Sequence, residues 1–196
     1  MHDQTTTGPP GRPIRTAARR PVAVLSAAVL VTARAACGED RAELAARAGL
    51  GVHVVDGAED GTRPAWALPY PEFMALADAM AAPHPSWREL FETAAACDLL
   101  MTCLLDGDQA MATDVLADDE TRDTTVALLR WAITGDSRSV QRAGFIPCER
   151  RCRPAGRLLN DEQRALLQRR AAALARSSSP DAWAGAEILA IFGSDR

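Results

Sequence analysis

The sequence predicts an all-α fold, and three observations carry that prediction. Apolar residues make up 47% of the 196, enough to fill a core. Most of that share is Ala and Leu rather than aromatic or β-branched, and these two lose little freedom on entering a helix. No segment sustains the two-residue alternation of a half-buried strand, whereas segments of helical period recur between caps and glycine stops. No internal repeat is present.

Residues 1–20 are rich in Thr, Gly, Pro and Arg without an apolar period, and read as a disordered basic arm. Pro21 suits the first position of a helix that runs to about Cys37 and stops at Gly38. Asp40 caps a second helix, with Glu43 completing a capping box and Gly49 ending it. A third, short helix spans residues 52–59, before Gly61. "TRPAWALPYP" is a proline-broken loop, and "EFMALADAM" a fourth helix stopped by "AAPHP". Ser86 and Glu89 form another expected capping box, opening a helix of about twenty residues that ends near Gly107. A short helix or turn follows in "DQAMATDVLAD". "ETRDTTVALLRWAITG" is then a helix with Val126, Leu129 and Ile133 on one face and Gly135 as its stop. "SRSVQRAG" is a further short helix and "FIPCERRCRPAGR" a loop. Asn160 and Gln163 open a helix to about Arg176, and Ser179, Pro180 and Gly193 bracket the last one.

Net charge is −4, and all 22 basic residues are Arg. No global positive field draws the chain onto a polyanion, so nucleic-acid binding would need a local patch. The five cysteines (37, 97, 103, 148 and 152) are odd in number and irregularly spaced, which fits a reducing compartment better than a disulfide scaffold. "RPIRTAARRPVAVLSAAVLVTARAAC" has the outline of a secretory signal with cleavage after Ala35, although its apolar run is too short to span a bilayer.

"VLVTARAACGEDRAELAARAGLGVHVVDGAEDGTRP…EFMALADAM" resembles the lambda-repressor-like helix-turn-helix of xenobiotic-response-element type regulators, over about residues 22–82. Arg34 and Gly38 end the first helix as in that family, and Leu44 faces the core. Ala45 is small where the second and third helices cross, and Gly49 stands where a left-handed residue is needed. Leu50 and Val55 plug the angle between them. Glu59 and Gly61 match the family's "E-x-G". Three features depart from it: Ala58 is small, Gly51 replaces the Ser or Thr cap, and Gly57 lies inside the recognition helix. If the resemblance holds, the apolar run is the first helix of the domain and not a signal.

The resemblance implies that Val52, His53, Asp56 and Gly57 face the bases, since the second helix of the motif enters the major groove by its N-terminal residues. None is an Arg, Asn or Gln able to read a base through two hydrogen bonds. Phosphate contact falls to Arg41 and Arg47 on the second helix, Arg63 after the third, and Arg19 and Arg20 of the arm. Few contacts per subunit mean weak binding by one copy and useful binding by a homodimer on two half-sites.

Cys148 and Cys152 sit among Arg150, Arg151 and Arg153, whose charge favours thiolates. They are a candidate redox pair; two ordinary cysteines in a basic loop is the simpler reading. No metal site is expected, because His2, His53 and His84 are scattered. Cys97 and Cys103 read as core residues. No P-loop, GxGxxG, HExxH or nucleophile–base set is present, so neither enzyme activity nor a cofactor is expected.

The expected organisation is a basic arm over residues 1–20, a five-helix-type helix-turn-helix domain over 21–83, and a helical dimerisation or sensing domain over 84–196. The expected function is a cytoplasmic, DNA-binding transcriptional regulator acting as a homodimer on double-stranded DNA, with a protein partner or small-molecule effector and no membrane. Two alternatives stay open: a helix-turn-helix kept as a protein-interaction module, and an exported helical protein.

Overall fold

A computed structural model of the chain describes residues 22, 24–82, 84–136, 138, 140 and 158–193. The arm, Pro21, the "FIPCERRCRPAGR" loop and most of "SRSVQRAG" lie outside these. The described residues form nine α-helices and no strand. They are α1 (Val24–Cys37), α2 (Arg41–Ala48), α3 (Val52–Glu59), α4 (Tyr70–Ala81), α5 (Ser86–Asp106), α6 (Ala110–Ala117), α7 (Arg122–Thr134), α8 (Asp161–Ala175) and α9 (Ala182–Gly193). The all-α expectation holds.

Local chemistry sets most boundaries. Asp40 and Glu43 close a reciprocal capping box at the start of α2, and Asn160 and Gln163 do the same for α8. α1, α2, α5 and α7 each end on a glycine with positive φ: Gly38, Gly49, Gly107 and Gly135. The expected Ser86–Glu89 capping box does not form. Pro85 already has helical dihedrals (φ −54°, ψ −34°), so Ser86 falls inside the first turn, where its hydroxyl no longer caps. His84 takes over part of that role: its Nδ1 lies 2.6 Å from Ser86 Oγ and accepts from the Ser86 amide at 3.3 Å. The "TRPAWALPYP" loop contains a 3-10 turn, Ala65–Ala67, that buries Ala65. The Trp66 indole donates from there to the Val22 carbonyl at 3.3 Å.

α5 organises the interior. It packs against α1, α4, α6, α7 and α8, and buries Trp87, Phe91, Leu100 and Met101 among others. The boundary expected near residues 82–85 lies between the end of α4 at Ala81 and the start of α5 at Ser86, and buried apolar residues of both helices belong to one cluster. Phe73 of α4 stacks on Phe91 of α5 with ring centroids 5.6 Å apart.

A buried carboxylate ties the two halves together. Asp98, inside α5 and fully buried, accepts from the Leu25 amide at 3.0 Å, the Ser26 amide at 2.9 Å and the Ser26 hydroxyl at 2.7 Å. These amides belong to the first turn of α1, which lacks intrahelical acceptors. Thr102, one turn on, accepts from the Val22 amide at 3.0 Å. α5 thus caps α1 from outside it.

Burial pushes the Asp98 carboxyl up to about 7, against the Ser26 and Leu25 donors that favour its charged form. An acid whose folded value lies above its unfolded one contributes stability at low pH that is lost as pH rises, here from about 4 to about 7. The full effect is of order 4 kcal/mol. Asp98→Asn removes this dependence. In urea denaturation at pH 5.5 and pH 8, the stability gap between wild type and Asp98→Asn should therefore narrow as pH rises. A widening gap would mean that the donors and the α1 N-terminus outweigh desolvation.

Candidate nucleic-acid interface

α2 and α3 are two short helices joined by a tight turn. Gly49 ends α2 in the left-handed conformation (φ 67°, ψ 26°). Its amide donates to Ala46 at 3.1 Å and the Leu50 amide donates to Ala45 at 2.9 Å, closing the last turn. Any residue with a Cβ is strained at this φ, so the bend depends on glycine. Gly51 then starts α3 in an extended conformation without a side-chain cap. Leu44, Ala45, Val54, Val55 and Ala58 are buried where α2, α3 and α1 meet, and Leu50 packs partly buried beside them. Ala45 is the small residue at the α2–α3 contact, and Ala58 is enclosed despite its size.

The four residues expected to face bases separate. Val52 (45% exposed) and His53 point outward from the first turn of α3, the His53 ring folding back over Gly51. Asp56 is half-exposed and accepts from Arg41 Nη1 at 3.1 Å. Gly57 turns toward the chain itself rather than outward. A Cβ there would lie 2.9 Å from Arg63 Cβ, and its carbonyl accepts from the Arg63 amide at 2.9 Å. The glycine admits the loop that follows the helix.

The arginines expected to hold phosphate are bound to carboxylates. Arg41 reaches Glu59 at 2.6 Å, Asp60 at 2.9 Å and Asp56 at 3.1 Å. Arg47 pairs with Glu39 and donates to the Ala79 carbonyl, tying α2 to α4. Arg63 pairs with Glu72 at 2.9 Å. Arg19 and Arg20 lie outside the described residues. Between residues 24 and 82 there are four arginines and eight acidic residues, and each of those arginines is paired. This surface repels phosphate unless a carboxylate gives up its partner.

At the centre of the pairing is Glu59, whose side chain is fully buried. It accepts from Arg34 Nε at 2.6 Å and Nη2 at 3.1 Å, and from Arg41 Nε at 2.6 Å. Arg34 Nη1 also donates to the Glu39 carbonyl at 2.8 Å. The hydrogen bond to Glu59 raises the Arg34 pKa further above its ordinary value. One carboxylate thereby joins the end of α1, the start of α2 and the end of α3. Residue spacing carries a signal for this: Glu59 falls four residues after Val55, on the inward stripe of α3, where a lone charge demands partners.

Cys97 is buried and Cys103 partly so, and burial raises both thiols above their ordinary range. Cys148 and Cys152 lie outside the described residues. Among the described residues, no three metal-ligating side chains converge on one point, and no helix is long and apolar enough to cross a membrane. Comparison with protein-family models, with curated proteins and with solved structures gives no match.

Two substitutions test this geometry. Glu59→Gln leaves Arg34 and Arg41 facing a neutral group inside the fold, and should lower stability by about 3 kcal/mol in urea denaturation. A change of a few tenths would show that the carboxylate is solvated. Gly57→Ala, which in an open helix would stabilise by about 1 kcal/mol, should instead lower the thermal midpoint because its methyl meets Arg63. A raised midpoint would show that the loop stands further off.

Proposed function

We propose that the chain is a transcriptional regulator of helix-turn-helix type, docking on duplex DNA through the first turn of α3. The observation that carries this reading is the bend at Gly49, with Val55 turned inward and Val52 and His53 outward. Only the exposed N-terminal turn of such a helix can reach base edges. Glu59 and Asp60 gather at the far end of α3, while Asp56, one turn on from Val52, is held by Arg41. Val52 is suited to a thymine methyl and His53 to guanine or phosphate. All four arginines between residues 24 and 82 are committed to the fold, so affinity per copy is low and a homodimer on two half-sites is required. Burial of Leu25, Val29 and Leu30 supports α1 as a core helix rather than a secretion signal, and with it a cytoplasmic setting.

The pairing of Arg41, Arg47 and Arg63 favours a second reading, in which the same exposed turn meets a protein partner. These arginines do not discriminate the two readings, because removing them disturbs the fold. Val52 and His53 do, since both are exposed.

A gel-shift series on fragments of the chain's own upstream region decides. Retardation should be present at low salt and fall steeply with added salt, as counterions compete. Val52→Asp and His53→Ala should each weaken it about tenfold or more, with unchanged unfolding midpoints. No retardation at low salt, or retardation indifferent to both substitutions, overturns DNA docking by α3.

A further inference from the structure

A cleft of about 410 Å³ opens between the 3-10 turn at Ala65–Ala67, the start of α4 and the first half of α5, on a part of the molecule that the reading above does not use. Trp66, Tyr70 and Phe73 line it from the turn and α4, and Glu92, Ala95 and Ala96 from α5. The chain is only 5% aromatic, and these three rings are withheld from the interior: Trp66 and Phe73 are half-buried, and Tyr70 is 74% exposed. Two of the rings are fixed in place. The Trp66 indole N–H is spent on the Val22 carbonyl, and Phe73 stacks on the buried Phe91. The cleft is therefore formed before any ligand arrives.

The charge beside the rings is negative. Arg88 is shared by Asp78 at 2.5 Å and Glu92 at 2.9 Å, two carboxylates to one guanidinium. Glu92 uses Oε1 for this contact, and among the described residues its Oε2 has no donor. The Arg88 pKa is raised first by the hydrogen bond to Glu92, then by the charge of Asp78, and more weakly by Tyr70, so the Tyr70 phenol approaches this charged group as well.

Ring faces carry the negative end of the aromatic quadrupole, and they attract a cation to the same place as the excess carboxylate does. The supply of acceptors decides which cation. A primary ammonium brings three N–H donors that lose water on entry, and each needs an acceptor. The side chains of this cleft offer Glu92 Oε2 and the Tyr70 hydroxyl, and otherwise carbon. A quaternary ammonium brings no donor, and its methyl groups carry the charge onto ring faces.

We infer that this cleft binds a small quaternary ammonium compound, its trimethylammonium head against Trp66, Tyr70 and Phe73 and its charge balanced by Glu92. The volume suits a ligand of this class. The inference is independent of whether α3 meets DNA.

Isothermal titration of the full chain tests it, with choline as probe and two controls. One is 3,3-dimethylbutan-1-ol, which has the shape of choline without the charge. The other is ethanolamine, which has the charge without the methyl groups. Choline should bind saturably, and each control about tenfold more weakly, as expected when the cation–π attraction or the methyl contacts are lost. Tyr70→Ala should weaken choline binding about tenfold while Tyr70→Phe, which keeps the ring, retains it. Tyr70 is exposed, so neither change should move the unfolding midpoint. Glu92→Gln should weaken choline binding several-fold. No saturable choline binding, equal binding by the neutral alcohol or by ethanolamine, or choline binding unchanged in Tyr70→Ala overturns the inference.

Discussion

The α1–α4 part of this protein is organised around a single buried carboxylate. Glu59 lies inside the domain with no exposed side-chain surface and takes three hydrogen bonds from Arg34 and Arg41. A carboxylate removed from water is tolerated only when its lone pairs and its charge are both met, and here two guanidinium groups meet them. Because the donors come from α1 and α2, satisfying Glu59 fixes where α3 ends relative to both. The bend at Gly49 fixes where α3 begins. Between these two constraints the first turn of α3 has one direction left, which is outward.

That solution determines the chemistry of the surface. Arg41 extends from Glu59 to Asp56 and Asp60, so the charge that would meet phosphate closes an internal network instead. Arg47 and Arg63 do the same for α4 through Glu39, Ala79 and Glu72. The arginines of α1 to α4 are thereby held in the fold. A second buried acid, Asp98, makes α1 common to both halves of the molecule by capping it from α5. A change on α5 therefore bears directly on the first helix of the domain.

Much of this was legible in the sequence where the cause is local. Gly38, Gly49, Gly107 and Gly135 end helices because each takes positive φ, and the Asp40–Glu43 and Asn160–Gln163 boxes need only three-residue spacing. The bounds of α3 and the outward pair Val52 and His53 follow from the same local grammar. What was not legible depends on distant residues. Arg41 looks like a free surface cation until a carboxylate eighteen positions away is placed against it. Gly57 looks groove-facing until the loop bearing Arg63 returns across it. Ser86 looks like a cap until Pro85 is seen to be helical already. Two signals were within reach. Glu59 and Asp98 each stand on the inward stripe of a helix, where an acid calls for a partner.

Arg34 and Glu59 act as one unit that sets α3. The most direct measurement is a double-mutant cycle: Arg34→Met, Glu59→Gln and the combination, each compared with wild type by urea denaturation. The account predicts strong non-additivity, with a coupling energy of about 2 kcal/mol, because Arg34→Met leaves the buried Glu59 with Arg41 alone and Glu59→Gln leaves Arg34 against a neutral amide. Additive effects, within a few tenths of a kcal/mol, would mean that the two side chains do not meet as described, and that α3 is held by something else.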